Sequence, residues 1–214
     1  MLTYLWAEQL AERPLLGESM FRDRADQFKT RLKWKVDVDH RGCEKDEYDA
    51  LNPLYVIWES PQGLHQGSLR LLPTTGRNMI EEHFSHLLDE QMIATPKRWE
   101  CSRFCLARHA PRHVAANLML AAGEAMVGFG VTECMAVFDQ RMMRIYRLLG
   151  AQPRLIGSSG TGKDFVGIGF RNSPPNTGKQ YAKRRACRPK LLQSGLIMPL
   201  VALIAKPNWV KCAH

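Results

Sequence analysis

The spacing of apolar positions changes several times along the chain, and each change predicts an element. In 18–33, Phe21, Ala25, Phe28 and Leu32 recur at helical spacing with charged residues between them, and Pro14 and Gly17 mark the start. LYVIWES (54–60) and SLRLLPTT (68–75) read as strands around the loop PQGLHQG (61–67), together a hairpin. Residues 78–90 predict a helix, with Asn78 as N-cap and Glu81 three residues on. WECSRFCLA (99–107) predicts a strand with one buried face. In it Glu100 and Ser102 point one way, Cys101 and Arg103 the other. A helix rich in Ala, Leu and Met follows over 113–129, then a strand over 132–138. A helix over 139–149 is closed by Gly150, and strands over 154–157 and 164–170 complete the series.

Strands interleaved with helices indicate an α/β domain, a mixed central sheet covered on both faces. Beyond 170 the pattern stops. SPPNTG (173–178) is a cluster of helix and strand breakers, followed by KQYAKRRACRPK (179–190) and a short apolar run. The expected division is a folded body over 1–171 and a basic C-terminal tail over 172–214.

Composition narrows the class. At 214 residues, 45% apolar and 24% charged, the chain fits a soluble globular domain. The longest apolar run, 196–205, contains Pro199 and has half the roughly 20 residues a membrane span needs, so no membrane insertion is expected. MLTYLWAEQLAER lacks the basic region and cleavage site of a signal peptide. Six cysteines (Cys43, Cys101, Cys105, Cys134, Cys187, Cys212) form no CxxC pair. Reduced thiols in a cytoplasmic protein are the expectation. The net charge of +9 suggests nucleic acid, but eight of the 30 Lys/Arg and none of the 21 Asp/Glu fall in the tail. The body is close to neutral and shows no helix-turn-helix, so no nucleic-acid partner is expected.

Several motifs fail on inspection. GSSGTGKD (157–164) approaches a phosphate-binding loop, but Asp164 stands where a hydroxyl is needed and a strand-like run follows, so it reads as a glycine-rich hairpin turn. His83 and His86 have no third ligand at a distinctive spacing and read as exposed helical side chains; no metal is expected. No Gly-x-Ser-x-Gly elbow is present.

What remains is a set of charged and aromatic residues in fixed order. Arg24, Phe28, Arg31 and Trp34 close the first helix; EKDEYD (44–49) carries Asp46 and Asp49; Arg70 lies in GSLRLLPTTG; and WECSRF (99–104) carries Glu100 and Arg103 in an apolar strand. Buried charges cost several kcal/mol unless paired, so Arg70, Glu100 and Arg103 need partners, a cleft or water. Ion pairs such as Arg70 with Asp49 satisfy that requirement without any catalysis.

Over residues 10–170 these motifs, with GSLRLLPTTGRNMI and RMMRIYRLLG (141–150), resemble the acyl-homoserine-lactone synthases, the autoinducer synthases of bacterial quorum sensing. The resemblance implies a three-layer α/β/α fold similar to the GCN5-related N-acyltransferases, with a sheet that splays at a cleft. It implies S-adenosylmethionine as a consumed substrate rather than a cofactor, an acyl chain delivered by acyl carrier protein, and 5′-methylthioadenosine as by-product. Glu100 is the implied base, and Arg24 and Arg103 the holders of the substrate carboxylate. Phe28 and Trp34 would face the sulfonium and adenine, Asp46 the amine, and Phe104 the same substrate. Asp49 and Arg70 would form a supporting ion pair. Ser102, Met126, Ala136 and Val137 would line the acyl pocket. Relatives that prefer a 3-oxo chain carry threonine where Ala136 or Val137 stands, so an unsubstituted chain is expected. The competing reading, another acyltransferase of this fold using acyl-CoA, lacks its pyrophosphate loop: CLARHAPRH precedes the 113–129 helix.

Overall fold

The computed structural model describes residues 1–88, 95–148 and 152–172. The chain runs β1 (Leu2–Trp6), α1 (Ala7–Ala11), α2 (Pro14–Ala25), β2 (Leu54–Glu59), β3 (His65–Pro73), α3 (Met79–Phe84), β4 (Arg98–Leu106), α4 (His113–Gly128), β5 (Glu133–Asp139), α5 (Gln140–Leu148), β6 (Arg154–Ser159) and β7 (Val166–Asn172). The strands form one sheet in the order β1-β2-β3-β4-β5-β7-β6. All neighbours are antiparallel except β4 and β5.

Side-chain alternation divides the sheet into two faces. On one, Leu2, Tyr4 and Trp6 of β1, Leu54 and Val56 of β2, Leu69 and Leu71 of β3 and Trp99 of β4 meet Val114, Leu118, Ala121, Ala125 and Met126 of α4. On the other, Tyr55 and Ile57 meet Leu10, Leu16, Met20 and Phe21 of the α1–α2 region. A large side chain buried in such a layer stabilises by about 1.5–3 kcal/mol. Gly67 lets α4 sit close to β3, because a Cβ there would lie 2.7 Å from Val114 Cγ1 and 3.0 Å from Leu118 Cδ1.

β4 and β5 pair only from Arg98 to Glu100 against Glu133 to Met135. Both strands run on in the same direction, β4 to Leu106 and β5 to Asp139, but no longer bond to each other. The sheet therefore forks immediately after Glu100 and Met135.

The mixed three-layer architecture and the hairpins are as expected, with differences in detail. Strand β1 and helix α1 were not anticipated, although Leu2, Tyr4 and Trp6 do alternate; five residues at a terminus carry too short a pattern to separate from a helix start. The first helix begins at Pro14, in the N1 position that suits proline, and its last part, Asp26–Arg31, widens into a π-turn. In the 78–90 segment the α-helix ends at Phe84 and a 3₁₀ turn spans Ser85–Leu87. Asn78 caps it as expected, accepting from Glu81 N at 2.9 Å. GSSGTGKD ends β6 at Ser159 and supplies the turn of the β6–β7 hairpin, with Gly160 and Gly162 at positive φ. Asn172 is the last residue of β7, one residue beyond the expected body. Gly150, expected to close the 139–149 helix, and 173–214 of the expected tail lie outside the described residues.

Candidate active site

Helix α2 and the π-turn run along the face of the sheet that carries Arg70, Glu100 and Ser102. The π-turn ends where Lys33 takes φ 60°, which lets Trp34 N donate to Phe28 O and folds the Trp34 ring onto Phe28. The rings stack 5.2 Å apart and 4° from parallel. Phe28 is buried and Trp34 is half exposed, with the Arg103 guanidinium 5.6 Å from the Phe28 centroid. From the same turn Gln27 donates Nε2–H to Phe104 O at 2.8 Å and accepts Leu106 N–H at 2.9 Å. Ala107 N bonds Gln66 O on the β3 side, so the groups Gln27 holds lie on the edge of β4 that faces the fork.

The acidic segment is a 3₁₀ turn, Glu47–Leu51, capped reciprocally: Asp46 Oδ1 accepts from Tyr48 N and Asp49 N, and Asp46 N donates to Asp49 Oδ2. Three arginines converge on it. Arg24 donates Nε–H to Glu44 at 2.5 Å and grips both Asp49 oxygens at 2.9 Å. Arg70 binds Ser102 Oγ through Nε at 3.1 Å, Asp49 at 2.9 Å and both oxygens of Asp46. Arg103 reaches Glu44 at 3.0 Å and Asp46 at 2.8 Å. Tyr55 adds an O–H to Asp49 at 2.6 Å. Burial alone would raise the Asp49 carboxyl, but the Arg24 and Arg70 guanidiniums overcome it and hold it below the usual carboxylate range. The Asp49–Arg70 ion pair is present, and Asp49 is equally the partner of Arg24.

Two expectations fail here. Arg24 is 1% exposed with all three nitrogens engaged, so it is a buried tie rather than a fork open to a substrate carboxylate. Arg103 does not point away from Glu100 and Ser102. It takes φ 52°, and the pairing slips from Ser68↔Cys105 to Arg70↔Ser102, so β4 carries one extra residue there. That bulge breaks the two-residue alternation and returns Arg103 to the charged face. Phe104 shifts with it, its side chain packing into the α4-side core and only its backbone facing Gln27.

Glu100 stands apart. It is fully buried, its Oε2 accepts from Ile80 N at 2.9 Å, and its Oε1 has no partner among the described residues. Burial raises its pKa, opposed by the Ile80 N–H, Arg70 and Ser102. Three arginines and three carboxylates (Glu44, Asp46, Asp49) already balance, so Glu100 is the one acid in this group without a cation of its own.

The family model described as "Autoinducer synthase" matches residues 8–168. The chain belongs to the autoinducer synthase family. An acyl-homoserine-lactone synthase of Rhizobium etli is 37% identical over 177 residues, 78% of this chain and 83% of the relative. One from Agrobacterium fabrum is 36% identical over 149 residues, 65% and 70% of the two chains. Among solved structures, a CoA-dependent acyl-homoserine lactone synthase, BjaI, with SAM and isopentyl-CoA superposes with a TM-score of 0.75 at 25% identity, covering 96% of this chain and 98% of that one. TofI in a ternary complex with an inhibitor and MTA gives 0.69 at 24% identity, covering 83% and 94%. The protein is thus an acyltransferase with the fold the sequence implied.

For this synthase the four expected acyl-pocket residues divide between the faces. Met126 and Ala136 lie on the α4–α5 side, Ala136 beside Met119, Phe138 and Tyr146. Val137 packs with Ile80, Met135 and Ile168 on the α3 side, and Ser102 serves Arg70. Strict alternation along β5 sends neighbours 136 and 137 to opposite faces, so only Ala136 lies on the α4–α5 side. Glu44 and Gln27 had been passed over. Glu44 is 1% exposed and bridges Arg24 to Arg103, and a lone acid ahead of the EKDEYD aspartates gave no signal of burial. His83 and His86 are exposed, as expected, although His86 lies in the 3₁₀ turn. His83 shares with Glu47 and Glu82 the one group of possible metal-ligating atoms among the described residues. Arg77 and Tyr48 already occupy the Glu82 oxygens and bring its carboxyl down to about 2.

Proposed function

We propose that this chain is an acyl-homoserine-lactone synthase in which Glu100 takes the proton from the α-amine of S-adenosylmethionine as that amine attacks an acyl thioester. The observation that carries the reading is the unpartnered Glu100 Oε1, buried beside a charge-balanced network. S-adenosylmethionine brings a sulfonium and an amine, and an ionised Glu100 is the anion left over to meet them. An α-amine with a pKa of about 8 needs only a modest base, and burial moves Glu100 toward that range. Collapse of the tetrahedral adduct expels the carrier thiolate. The substrate carboxylate then displaces 5′-methylthioadenosine from its own γ-carbon, a ring closure that requires only that the chain be held curled. Amine, thioester and sulfonium supply all the chemistry, so no metal or cofactor enters.

Arg103, which lies against Phe28 of the stack, and its ion-pair partner Asp46 are each slightly exposed, which suits them to the carboxylate and ammonium ends of the substrate. The acyl tail would enter the fork between β4 and β5.

For the acyl donor we infer acyl carrier protein. Leu106, at the open end of the fork, is held by Arg31; the segments on either side carry exposed Lys29, Lys33, Arg108 and Arg112, with Asp26 pairing Arg31 and Arg108. An acidic carrier fits a basic rim. The likeness to CoA-dependent synthases favours acyl-CoA as the second reading. Purified protein incubated with S-adenosylmethionine and matched acyl-carrier-protein or acyl-CoA thioesters, with lactones read by mass spectrometry, tests both. The first donor should give the higher kcat/KM, with a rate that falls steeply with salt. Absence of lactone from either donor overturns the synthase reading, and a salt-insensitive preference for CoA overturns the donor.

A further inference from the structure

Tyr146, on α5, is not used by this mechanism. It is buried to 9% exposure between Phe138, whose ring it meets edge-on at 5.5 Å, and Met119, Ala136, Met142, Met143 and Phe165. These neighbours offer its hydroxyl no strong acceptor, and no hydrogen bond among the described residues engages it. Among the described residues only Glu100 Oε1 is a fully enclosed side-chain polar atom without a partner, so the Tyr146 oxygen is not sealed off and its O–H is open to an occupant.

The placement says where that occupant sits. The titratable groups that act on the phenol are the thiols of Cys101 and Cys134, then Asp139. Cys101 follows Glu100 in β4, and Cys134 precedes Met135, the register partner of Glu100. Both cysteines face the α4 side, so Tyr146 looks toward the base of the fork from beneath. The thiols are weak hydrogen-bonding groups, and Asp139 Oδ1 already accepts Met142 N–H at 2.9 Å. A hydrocarbon chain laid there would leave the phenol unsatisfied, whereas a chain carrying an oxygen would not.

We propose that Tyr146 is a specificity-determining residue: its O–H donates to an oxo or hydroxyl oxygen on the acyl chain a few carbons beyond the thioester carbonyl, and the enzyme prefers such chains. The inference rests on the synthase reading and on Glu100 marking the carbonyl end. It reverses the expectation from Ala136 that an unsubstituted chain is preferred, because α5 supplies the donor that β5 lacks.

The test compares 3-oxo, 3-hydroxy and unsubstituted acyl thioesters of one length, on the carrier the enzyme accepts, in the natural protein and in Tyr146→Phe. One neutral hydrogen bond predicts a kcat/KM ratio of about tenfold for at least one oxygenated chain over the plain one, falling to about one in Tyr146→Phe. A parallel measurement uses thermal stabilisation by the corresponding product lactones, which needs no turnover and no active variant. The oxygenated lactones should stabilise the natural protein more than the plain lactone does, and Tyr146→Phe should show no difference. A natural enzyme that prefers plain chains, or a preference that survives in Tyr146→Phe, overturns the proposal. If no thioester is turned over the synthase reading fails, and the lactone-binding arm still decides the role of Tyr146.

Discussion

The two faces of the sheet are built by opposite means. The α4 side is a continuous apolar layer in which Leu54, Val56, Leu69, Leu71, Val114, Leu118 and Ala125 are fully buried. The α2 side buries Arg24, Arg70 and Glu44 as deeply, each tied by two or more charge-assisted hydrogen bonds. Apolar packing degrades gradually when an atom is lost, while an ion network leaves a naked charge behind. The site is assembled on the face that tolerates error least.

The sharpest way to break the contrast is Arg70→Ala. It removes the shared partner of Asp46, Asp49 and Ser102, and should cost about 3–5 kcal/mol in chemical denaturation. An effect under 1 kcal/mol would mean the network is decoration. Next is Glu100→Gln, which should lower kcat by about 10²–10⁴-fold while the melting temperature holds or rises, since a raised carboxyl pKa means burial disfavours its ionised form. The sign follows for pH: activity should climb as pH rises through the raised Glu100 pKa, a limb above the ordinary carboxylate range, and Glu100→Gln should abolish it. The depressed Asp49 works oppositely. Its contribution to stability is complete above the unfolded carboxyl pKa and drains away only as pH falls below it, so acid unfolding and the activity limb should separate.

On the apolar face, Gly67→Ala should cost about 1–3 kcal/mol, because the added methyl meets Val114 and Leu118 inside contact distance. It should leave the relative rates with different acyl donors unchanged. Smallest is Asn78→Ala. Loss of the α3 cap should cost about 1 kcal/mol in a thermal melt, with a modest fall in kcat because Ile80 N, which holds Glu100, lies in that first turn.

The same contrast explains what the sequence could reveal. Helices, hairpins and the mixed sheet were legible because apolar periodicity records which face is buried, and α4 and β4 agree with it to within a residue or two. The charged residues could be named in order, but not their partners. Period-two reasoning put Arg103 on the wrong face because a bulge and a positive φ at a non-glycine residue leave no mark in composition. Arg24 was misjudged for a related reason: an arginine ending a helix looks the same whether its fork opens to solvent or closes on Glu44 and Asp49. Tyr146 passed unnoticed inside RMMRIYRLLG, where an aromatic at helical spacing reads as core.

The side chain of Gln27 gives the fork a further property. By imitating the amide of a missing strand it blunts the exposed margin of β4, which would otherwise invite another polypeptide to pair there and zip the opening shut. Any replacement unable both to give and to receive at that spot should leave Phe104 O and Leu106 N–H without these partners and favour self-association through that margin.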